Sequence, residues 1–221
     1  MKKVKFTNKF DAIICLDGTL ATADIFNLLK GIKILAADGA AVQLSRMGID
    51  FDKVIGDLDT LKREDLADKI PESKKVYLPD QDTNDFEKTL NYAKEHGLKN
   101  LMITGIHGGE FEHTLNNWSV FKRYACELNL CIYETGRYAI PVFESMKFQV
   151  EIGEMVSIIP QTSAVLTTTG LKWELKNEIL EIGLREGARN IAENEEVTID
   201  IHSGAVLVFI NSRIPYAPVI Y

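Results

Sequence analysis

The chain carries the stretch VIGDLDT at residues 54–60, in which a short apolar segment runs into a glycine and then into two aspartates. The apolar part predicts a buried strand, and Asp57 and Asp59 follow at its carboxyl end. Extended or tightly turned backbone at this spacing can direct both carboxylates at one hard cation. Mg²⁺ prefers oxygen ligands and keeps several waters, so a pair of carboxylates together with substrate phosphates suffices. The stretch therefore predicts a metal site at the end of a strand.

Short apolar runs alternate with helix-like segments over the first half of the chain. The predicted strands are 12–16, 33–37, 53–55, 75–78 and 100–104, and the predicted helices are 21–29, 40–47, 62–69, 85–96 and 114–127. This alternation indicates βαβ units and a largely parallel sheet. Polar residues and glycines follow several of these strands, on the side of the sheet where open α/β folds bind ligands. They are Asp38, Asp57, Asp59, Gln81 and Gly105.

From Leu130 onward the pattern changes to short β-like runs separated by turn signals. The predicted strands are 130–134, 147–151, 155–160, 164–168, 178–183, 196–201 and 205–210. Many short strands of this kind are typical of a small sandwich or barrel. We therefore expect an α/β N-terminal domain with a mostly parallel sheet, residues 1–136, and an all-β C-terminal sandwich domain, residues 137–221.

Composition argues against a nucleic-acid-binding or membrane-binding protein and against a disulfide-rich one. The chain is 46% hydrophobic and 26% charged, with a net charge of −7, so it has no basic excess for binding nucleic acid or an anionic membrane. Cys15, Cys126 and Cys131 match neither a disulfide framework nor a CxxC metal pair, and we interpret them as reduced packing residues. No secretory signal and no membrane-spanning apolar run is found, which predicts a cytoplasmic protein.

A second acidic segment, DQDTNDFEK at residues 80–88, runs from a loop into a predicted helix. Thr83 or Asn84 can cap this helix, and Asp85 suits its first turn electrostatically. Lys88 follows Asp85 by three residues, so both side chains can face the same side. They form either a carboxylate and ammonium pair for phosphoryl transfer or a simple ion pair within the helix.

Two further segments suggest ligand contacts. The loop GIHGGEFEH at residues 105–113 is rich in glycine and enters a helix, so backbone N–H groups at Gly108 and Gly109 can approach an anion. The loop is neither a P-loop nor a dinucleotide fingerprint. Trp173, within GLKWEL at residues 170–175, is either a core or interface aromatic or a platform for a flat cationic heterocycle.

The segment CLDGTL at residues 15–20 looks like the DxDGT opening of haloacid-dehalogenase-type phosphatases. Their mechanism needs a carboxylate nucleophile at the position of Cys15, and a thiol does not supply aspartyl-phosphate chemistry. We therefore interpret Asp17, Gly18 and Thr19 as a turn at the end of a strand.

Taken in order along the chain, these segments resemble the thiamin pyrophosphokinase family. The matching segments are ADGAA (37–41), GDLDT (56–60), DQDTNDFEK (80–88), the glycine-rich loop (105–116), SIIP (157–160) and GLKW (170–173). The resemblance implies transfer of a diphosphate from ATP to the hydroxyl group of thiamin, with AMP as the second product. It also implies a homodimer in which thiamin lies between the first domain of one subunit and the second domain of its partner.

The resemblance also implies the roles of individual residues. Asp57, Asp59 and Asp85 match the residues that hold Mg²⁺, and with Lys88 they form the catalytic set. The other residues matched to substrate-binding positions, for ATP or thiamin, are Asp38, Gln81, Asn84, Gly108, Gly109, Glu112, Asn116, Thr167, Thr169 and Trp173.

Five positions depart from the family pattern, namely Val42, Asn84, Glu110, Glu112 and Arg189. Glu110 is the most consequential, because it places an acid where the family has an arginine beside the phosphates. A second hypothesis is therefore a thiamin- or nucleotide-binding protein of the same fold with impaired catalysis. A third is a nucleotide transferase or hydrolase that acts on another alcohol. The intact catalytic set favours the kinase.

Overall fold

The computed structural model describes residues 1–221. The strands are β1 (Lys2–Lys9), β2 (Ala12–Cys15), β3 (Lys33–Ala37), β4 (Lys53–Gly56), β5 (Lys75–Tyr77), β6 (Asn100–Thr104), β7 (Asn129–Glu134), β8 (Arg137–Val142), β9 (Met146–Gln149), β10 (Met155–Thr169), β11 (Glu178–Glu181), β12 (Gly187–Ile191), β13 (Glu196–Asn211) and β14 (Tyr216–Ile220). The α-helices are α1 (Ala23–Leu28), α2 (Ala40–Arg46), α3 (Asp59–Arg63), α4 (Asp85–Glu95) and α5 (Phe111–Tyr124), and Ala67–Lys69 and Glu72–Lys74 are 3₁₀-helices. None of the helices is long and apolar enough to cross a lipid bilayer.

The chain divides into two units. Lys9–Ile132 form an α/β unit, and Met1–Asn8 together with Tyr133–Tyr221 form a β-rich unit. We expected the N-terminal residues in the first domain. The structure places them in the β-rich unit because β1 pairs in parallel with β9, with Lys3 opposite Lys147.

The α/β unit is built on a parallel sheet of order β7-β6-β2-β3-β4-β5. Its central strand β2 is buried along its whole length. Strands covered on both faces read as continuous apolar runs, which is why the sequence pattern located this strand. The chain crosses the sheet between β5 and β6, so the order reverses beside β2. Open α/β sheets bind ligands beyond the carboxyl ends of their strands at such a reversal.

Helix α3 differs from its predicted span of 62–69. It occupies Asp59–Arg63, and left-handed backbone stands close to each of its ends. Leu58 precedes the helix with a φ of 59°, and Asp65 follows it with a φ of 54°. Left-handed residues interrupt an α-helix, so α3 is short and starts earlier than hydrophobic periodicity indicated.

The β-rich unit contains two long strands, β10 and β13, each of which we had predicted as two shorter strands. The two pair antiparallel along most of their length. The pairing shifts register between Pro160 and Ala164 and again between Val165 and Leu166, where the register passes over His202 of β13. The residues His202, Ser203 and Gly204, which we interpreted as a turn, therefore lie at an irregularity of the ladder that does not end the strand. The predicted fold class, an α/β domain followed by an all-β sandwich domain, is confirmed.

The three cysteines are free, as expected. Cys15 and Cys131 are buried, and burial raises the pKa of both thiols, so they are inert packing residues. Cys126 is exposed, so the packing interpretation does not hold for this residue.

Candidate active site

A cavity of about 600 Å³ opens in the α/β unit beyond the carboxyl ends of its strands. Leu16 and Asp17 reach it from the end of β2, and Ala37 and Asp38 reach it from the end of β3. Eight of the residues predicted from sequence line this one cavity. They are Asp38, Asp57, Gln81, Asn84, Asp85, Lys88, Glu112 and Asn116.

Three carboxylates meet in the cavity. Asp38 follows β3, Asp57 follows β4, and Asp85 begins α4, so residues far apart in sequence supply them. One carboxylate oxygen from each lies within 4.8 Å of the others. This distance allows a single cation to contact all three residues.

The arrangement around Asp57 corrects the expected pairing of Asp57 with Asp59. Leu58 is left-handed, so the backbone turns between the two aspartates and Asp59 starts α3. The Asp59 side chain is 74% exposed and lies 3.1 Å from Lys62. The structure thus groups Asp57 with Asp38 and Asp85 and leaves Asp59 outside this group.

Asp38 has the most unusual environment of the three. It is only 5% exposed, and its Oδ2 atom accepts a hydrogen bond from the Thr60 backbone N–H at 3.2 Å. Its Oδ1 atom is buried without any hydrogen-bond partner. Burial raises the pKa of Asp38, and the negative charges of Asp57 and Asp17 raise it further. A buried acceptor without a donor is costly, and a cation would satisfy it.

The pKa values of the other two carboxyl groups shift in opposite directions. Burial raises the pKa of Asp85, and the charge of Lys88 opposes this shift without outweighing it. Burial also acts to raise the pKa of Asp57, but hydrogen bonds from Gln81 and from the Asp59 backbone N–H lower it overall. Gln81 donates to Asp57 through Nε2 at 3.1 Å. Asp57 is therefore the carboxylate held most firmly in its ionised form.

The chemistry of this group fits a divalent cation. Three carboxylates at short range repel one another, and one of their oxygens is buried and unpaired. Mg²⁺ takes carboxylate oxygens and keeps waters or substrate phosphates in its remaining positions.

Lys88 supplies a buried positive charge beside the acidic group. It is 4% exposed, and its Nζ atom lies 3.4 Å from Asp85 Oδ1. Asn84 caps the same helix by accepting from the Glu87 N–H at 2.9 Å. The amide group of Asn84 also donates to Asn117 at 3.4 Å. Asn84 is thus engaged in holding the first turn of α4, which presents both Asp85 and Lys88.

The glycine-rich loop lies beside the cavity, but Gly108 and Gly109 are absent from its lining. The Thr19 N–H donates to His107 O at 2.6 Å, so the turn after β2 packs on this loop. A Cβ atom at Gly108 would lie 2.0 Å from Thr19 Oγ1, whereas one at Gly109 would meet open space. Gly108 therefore allows two loops to approach closely, a packing role that differs from the predicted anion contact.

Sequence reasoning did not assign Asp17 or Asn117 to the site, although both line the cavity. Asp17 follows a buried strand as Asp38 and Asp57 do, and this repeated pattern was available in the sequence. We had assigned Asp17 only to a turn. Its Oδ1 atom accepts a hydrogen bond from Gln43 at 2.9 Å.

The remaining predicted residues belong to the β-rich unit. Thr167 Oγ1 accepts from the Asn177 N–H at 3.0 Å and lies 2.9 Å from His202 Nε2. Thr169 is exposed. The Trp173 side chain is exposed, which rules out the core-aromatic interpretation.

Gly56 offers a test of how tightly the acidic group is packed. Its φ is 152°, and a Cβ atom there would lie 2.8 Å from Asp85 Oδ1. We expect Gly56→Ala to lower the free energy of unfolding by about 1–3 kcal/mol, because the backbone conformation is one that only glycine adopts readily. Activity should fall by more than this loss explains, because Asp85 must move. Denaturant unfolding and steady-state kinetics measure both effects, and unchanged kinetics would contradict the described packing. Gly97→Ala, at a φ of 71° with open space around the Cβ position, is the matched backbone control.

Two family models match this chain. Thiamin pyrophosphokinase, catalytic domain, matches residues 27–132, and thiamin pyrophosphokinase, vitamin B1 binding domain, matches residues 145–206. Thiamine pyrophosphokinase 2 of Arabidopsis thaliana is 29% identical over 172 residues, which cover 69% of this chain and 62% of that relative. The match therefore spans about six-tenths of that curated relative's length.

Solved structures show the same fold. The thiamine pyrophosphokinase of Bacillus subtilis superimposes with a TM-score of 0.74 at 20% identity, covering 92% of this chain and 100% of that one. Yeast thiamin pyrophosphokinase gives a TM-score of 0.77 at 15% identity, covering 93% and 87% of the two chains.

Proposed function

Because the chain belongs to the thiamin pyrophosphokinase family, we propose that it transfers a diphosphate from ATP to the hydroxyl group of thiamin. The products are thiamin diphosphate and AMP. The observation that carries this proposal is the convergence of Asp38, Asp57 and Asp85 with the buried Lys88 in one cavity. Diphosphate transfer needs mainly positioning and neutralisation of charge, which these groups supply.

In this proposal Asp38, Asp57 and Asp85 hold Mg²⁺. When bound, the ion supplies positive charge to the phosphate oxygens of the nucleotide. Gln81 keeps Asp57 in place by donating to its Oδ2 atom. The unpaired Oδ1 atom of Asp38 supports the assignment, because the fold alone leaves it without a donor.

Lys88 stabilises the negative charge that the reaction moves. The hydroxyl oxygen of thiamin bonds to the β-phosphorus of ATP, the bond from that phosphorus to the oxygen bridging the α- and β-phosphates breaks, and AMP leaves with the electron pair. The hydroxyl proton passes to solvent. Because the Lys88 ammonium is buried, water screens its charge weakly, and its attraction for phosphate oxygens is stronger than at a surface.

Trp173 is the proposed contact for thiamin in the β-rich unit. The thiazolium ring of thiamin carries a fixed positive charge, and an indole face attracts such a cation by roughly 0.5–2 kcal/mol. The exposed ring of Trp173 supports this role. A homodimer with a shared site and a cytoplasmic location remain predictions that rest on the family resemblance and on the sequence.

Glu110 raises the alternative of a binding protein without catalysis, because it replaces an arginine of the family pattern. Its side chain is 73% exposed and lies 3.4 Å from His113. It is absent from the cavity lining, so it adds no negative charge to the cavity wall. The complete set of Asp38, Asp57, Asp85 and Lys88 supports the enzyme.

Incubation of the purified protein with ATP, Mg²⁺ and thiamin tests the function. We expect AMP and thiamin diphosphate in equal amounts by chromatography, and we expect EDTA to abolish both. Thiamin binding without AMP would favour the non-catalytic alternative. Formation of ADP and thiamin monophosphate would contradict diphosphate transfer.

A further inference from the structure

The loop that carries Trp173 joins β10 to β11 and leaves this residue 57% exposed. A large aromatic side chain on a surface loop has few contacts of its own to hold it in place. Trp173 borders a small pocket of about 160 Å³, whose apolar wall includes Ile158, Leu175 and Leu180. Asn190 of β12 lines the same pocket.

The Asn190 side chain forms hydrogen bonds with both the backbone N–H and the backbone C=O of Trp173. Its Oδ1 atom accepts from the Trp173 N–H at 3.1 Å, and its Nδ2 atom donates to Trp173 O at 2.7 Å. Oδ1 also accepts from the Ile191 N–H at 2.9 Å. Both acceptor positions of the carboxamide and one of its two N–H groups are therefore engaged within the protein.

The strand around Asn190 is shaped to make this contact. The pairing of β12 with β10 shifts register between Val156 and Ile158, opposite this part of β12. Arg189 has a φ of 58°, a left-handed conformation that a residue with a side chain adopts at a cost. The Lys172 N–H donates to Ile191 O at 2.9 Å, so the paired backbone ends one residue before Trp173. At the next residue, Trp173, the carboxamide of Asn190 makes the hydrogen bonds to the backbone N–H and C=O that a paired strand would otherwise make.

The ring itself has one further neighbour. The Nζ atom of Lys172 lies 5.0 Å from the centroid of the Trp173 ring. A cation over one face of the indole makes a favourable contact there. With the backbone held by Asn190 and one face of the ring contacted by Lys172, the orientation of the indole is constrained before any ligand arrives.

We propose that Asn190 is a positioning residue for the organic substrate. It acts through the Trp173 backbone and holds the indole where a flat cationic heterocycle can stack on it. This inference rests on the proposed function, which makes Trp173 the contact for thiamin. Asn190 itself need not touch the substrate.

Asn190→Asp tests the proposal because it is nearly isosteric and replaces the donor to Trp173 O with a carboxylate oxygen, which cannot donate and repels that carbonyl. The expected result is a rise of about 10-fold in the KM for thiamin, with the KM for ATP unchanged, since the loss of one hydrogen bond typically corresponds to a factor of this order. A merely structural role would alter both constants together, and this result would overturn the proposal. Asn190→Ser is the second variant if Asn190→Asp fails to fold, because a hydroxyl group is too short to span both backbone atoms.

A double-mutant cycle separates positioning from direct recognition. In a Trp173→Ala protein, Asn190→Asp should add nothing further to the KM for thiamin, because the residue on which it acts is gone. Additive effects would show that Asn190 contacts thiamin itself and would overturn the proposal.

The fluorescence anisotropy of Trp173 reports the mobility of the indole without substrate or turnover, so it tests the role of Asn190 independently of the proposed function. In a Trp118→Phe protein, Trp173 is the remaining tryptophan, and Asn190→Asp should lower its anisotropy in the absence of substrate. Unchanged anisotropy would overturn the positioning role. The two proposals can fail separately. If Asn190→Asp lowers the anisotropy of Trp173 as expected but the parent protein makes no thiamin diphosphate, the proposed function is refuted and the Asn190 contact stands.

Discussion

Replacing Asp57 by asparagine should lower kcat by about 100- to 1000-fold, the size of effect seen when a charge-stabilising group is removed from a polar active site. Asp57 is the carboxylate whose pKa lies below its ordinary value, so at neutral pH it contributes a full negative charge to the acidic group. The neutral amide keeps the shape and removes that charge. The Mg²⁺ concentration for half-maximal rate should rise in parallel, and titration of the rate with Mg²⁺ measures it.

The control for Asp57→Asn is Asp68→Asn, at an exposed residue of the 3₁₀-helix Ala67–Lys69 and outside the cavity. Its kinetics should match those of the parent protein, and both variants should melt at parent-like temperatures. Full activity in Asp57→Asn would remove this residue from the metal site. Asp38→Asn should cost more activity than Asp59→Asn, and the reverse order would restore the pairing that we expected from sequence.

Lys88→Met should also lower kcat by about 100- to 1000-fold. Methionine is a similar length and suits a buried position, so the change mainly removes the ammonium group. Asp85, which Lys88 contacts at 3.4 Å, is then left beside Asp38 and Asp57 without its cation. The expected signature is a rise in the KM for ATP together with the loss of kcat, while added Mg²⁺ does not restore the rate.

Lys94→Met is the matched control, because Lys94 lies on the same helix, α4, with its side chain half exposed. It should retain parent-like kinetics, and circular dichroism should report the same helix content in both variants. If Lys88→Met kept more than about a third of the parent kcat, the transition-state role assigned to Lys88 would be wrong, and the ion pair with Asp85 would be only structural.

Most strands of the α/β unit were predictable because they are apolar runs buried on both faces, as β2 is, whereas β5 is a more exposed strand at the end of the sheet. The observed β3 and β6 match their predicted spans of 33–37 and 100–104. Helix α3 was misplaced because the left-handed backbone at Leu58 and Asp65 carries no strong sequence signal in residues other than glycine. In the β-rich unit, Gly204 was interpreted as a turn because glycine is common in turns, yet in the structure it lies within β13 with a φ of 78°.

The candidate site was predicted as a set of residues but not as an arrangement. Residues that follow parallel strands gather at one end of a sheet, so the cavity and most of its lining followed from the strand pattern. The pairing within the acidic group did not follow, because it depends on one backbone angle at Leu58 that turns Asp59 away. The contact of Asn190 with Trp173 was not predicted, because it depends on a strand register that no local sequence pattern reports.

The amino-acid order alone was enough to identify the class of fold, the two-part organisation and most of the polar residues that line the cavity. These features depend on periodicity and on chemical type, which are local properties of a chain. The tertiary structure places Asp38, and not Asp59, in the acidic group with Asp57 and Asp85. It also brings the Asn190 side chain to the backbone of Trp173. Such choices depend on distances between residues far apart in sequence, which backbone turns and strand registers set only after the whole chain has packed.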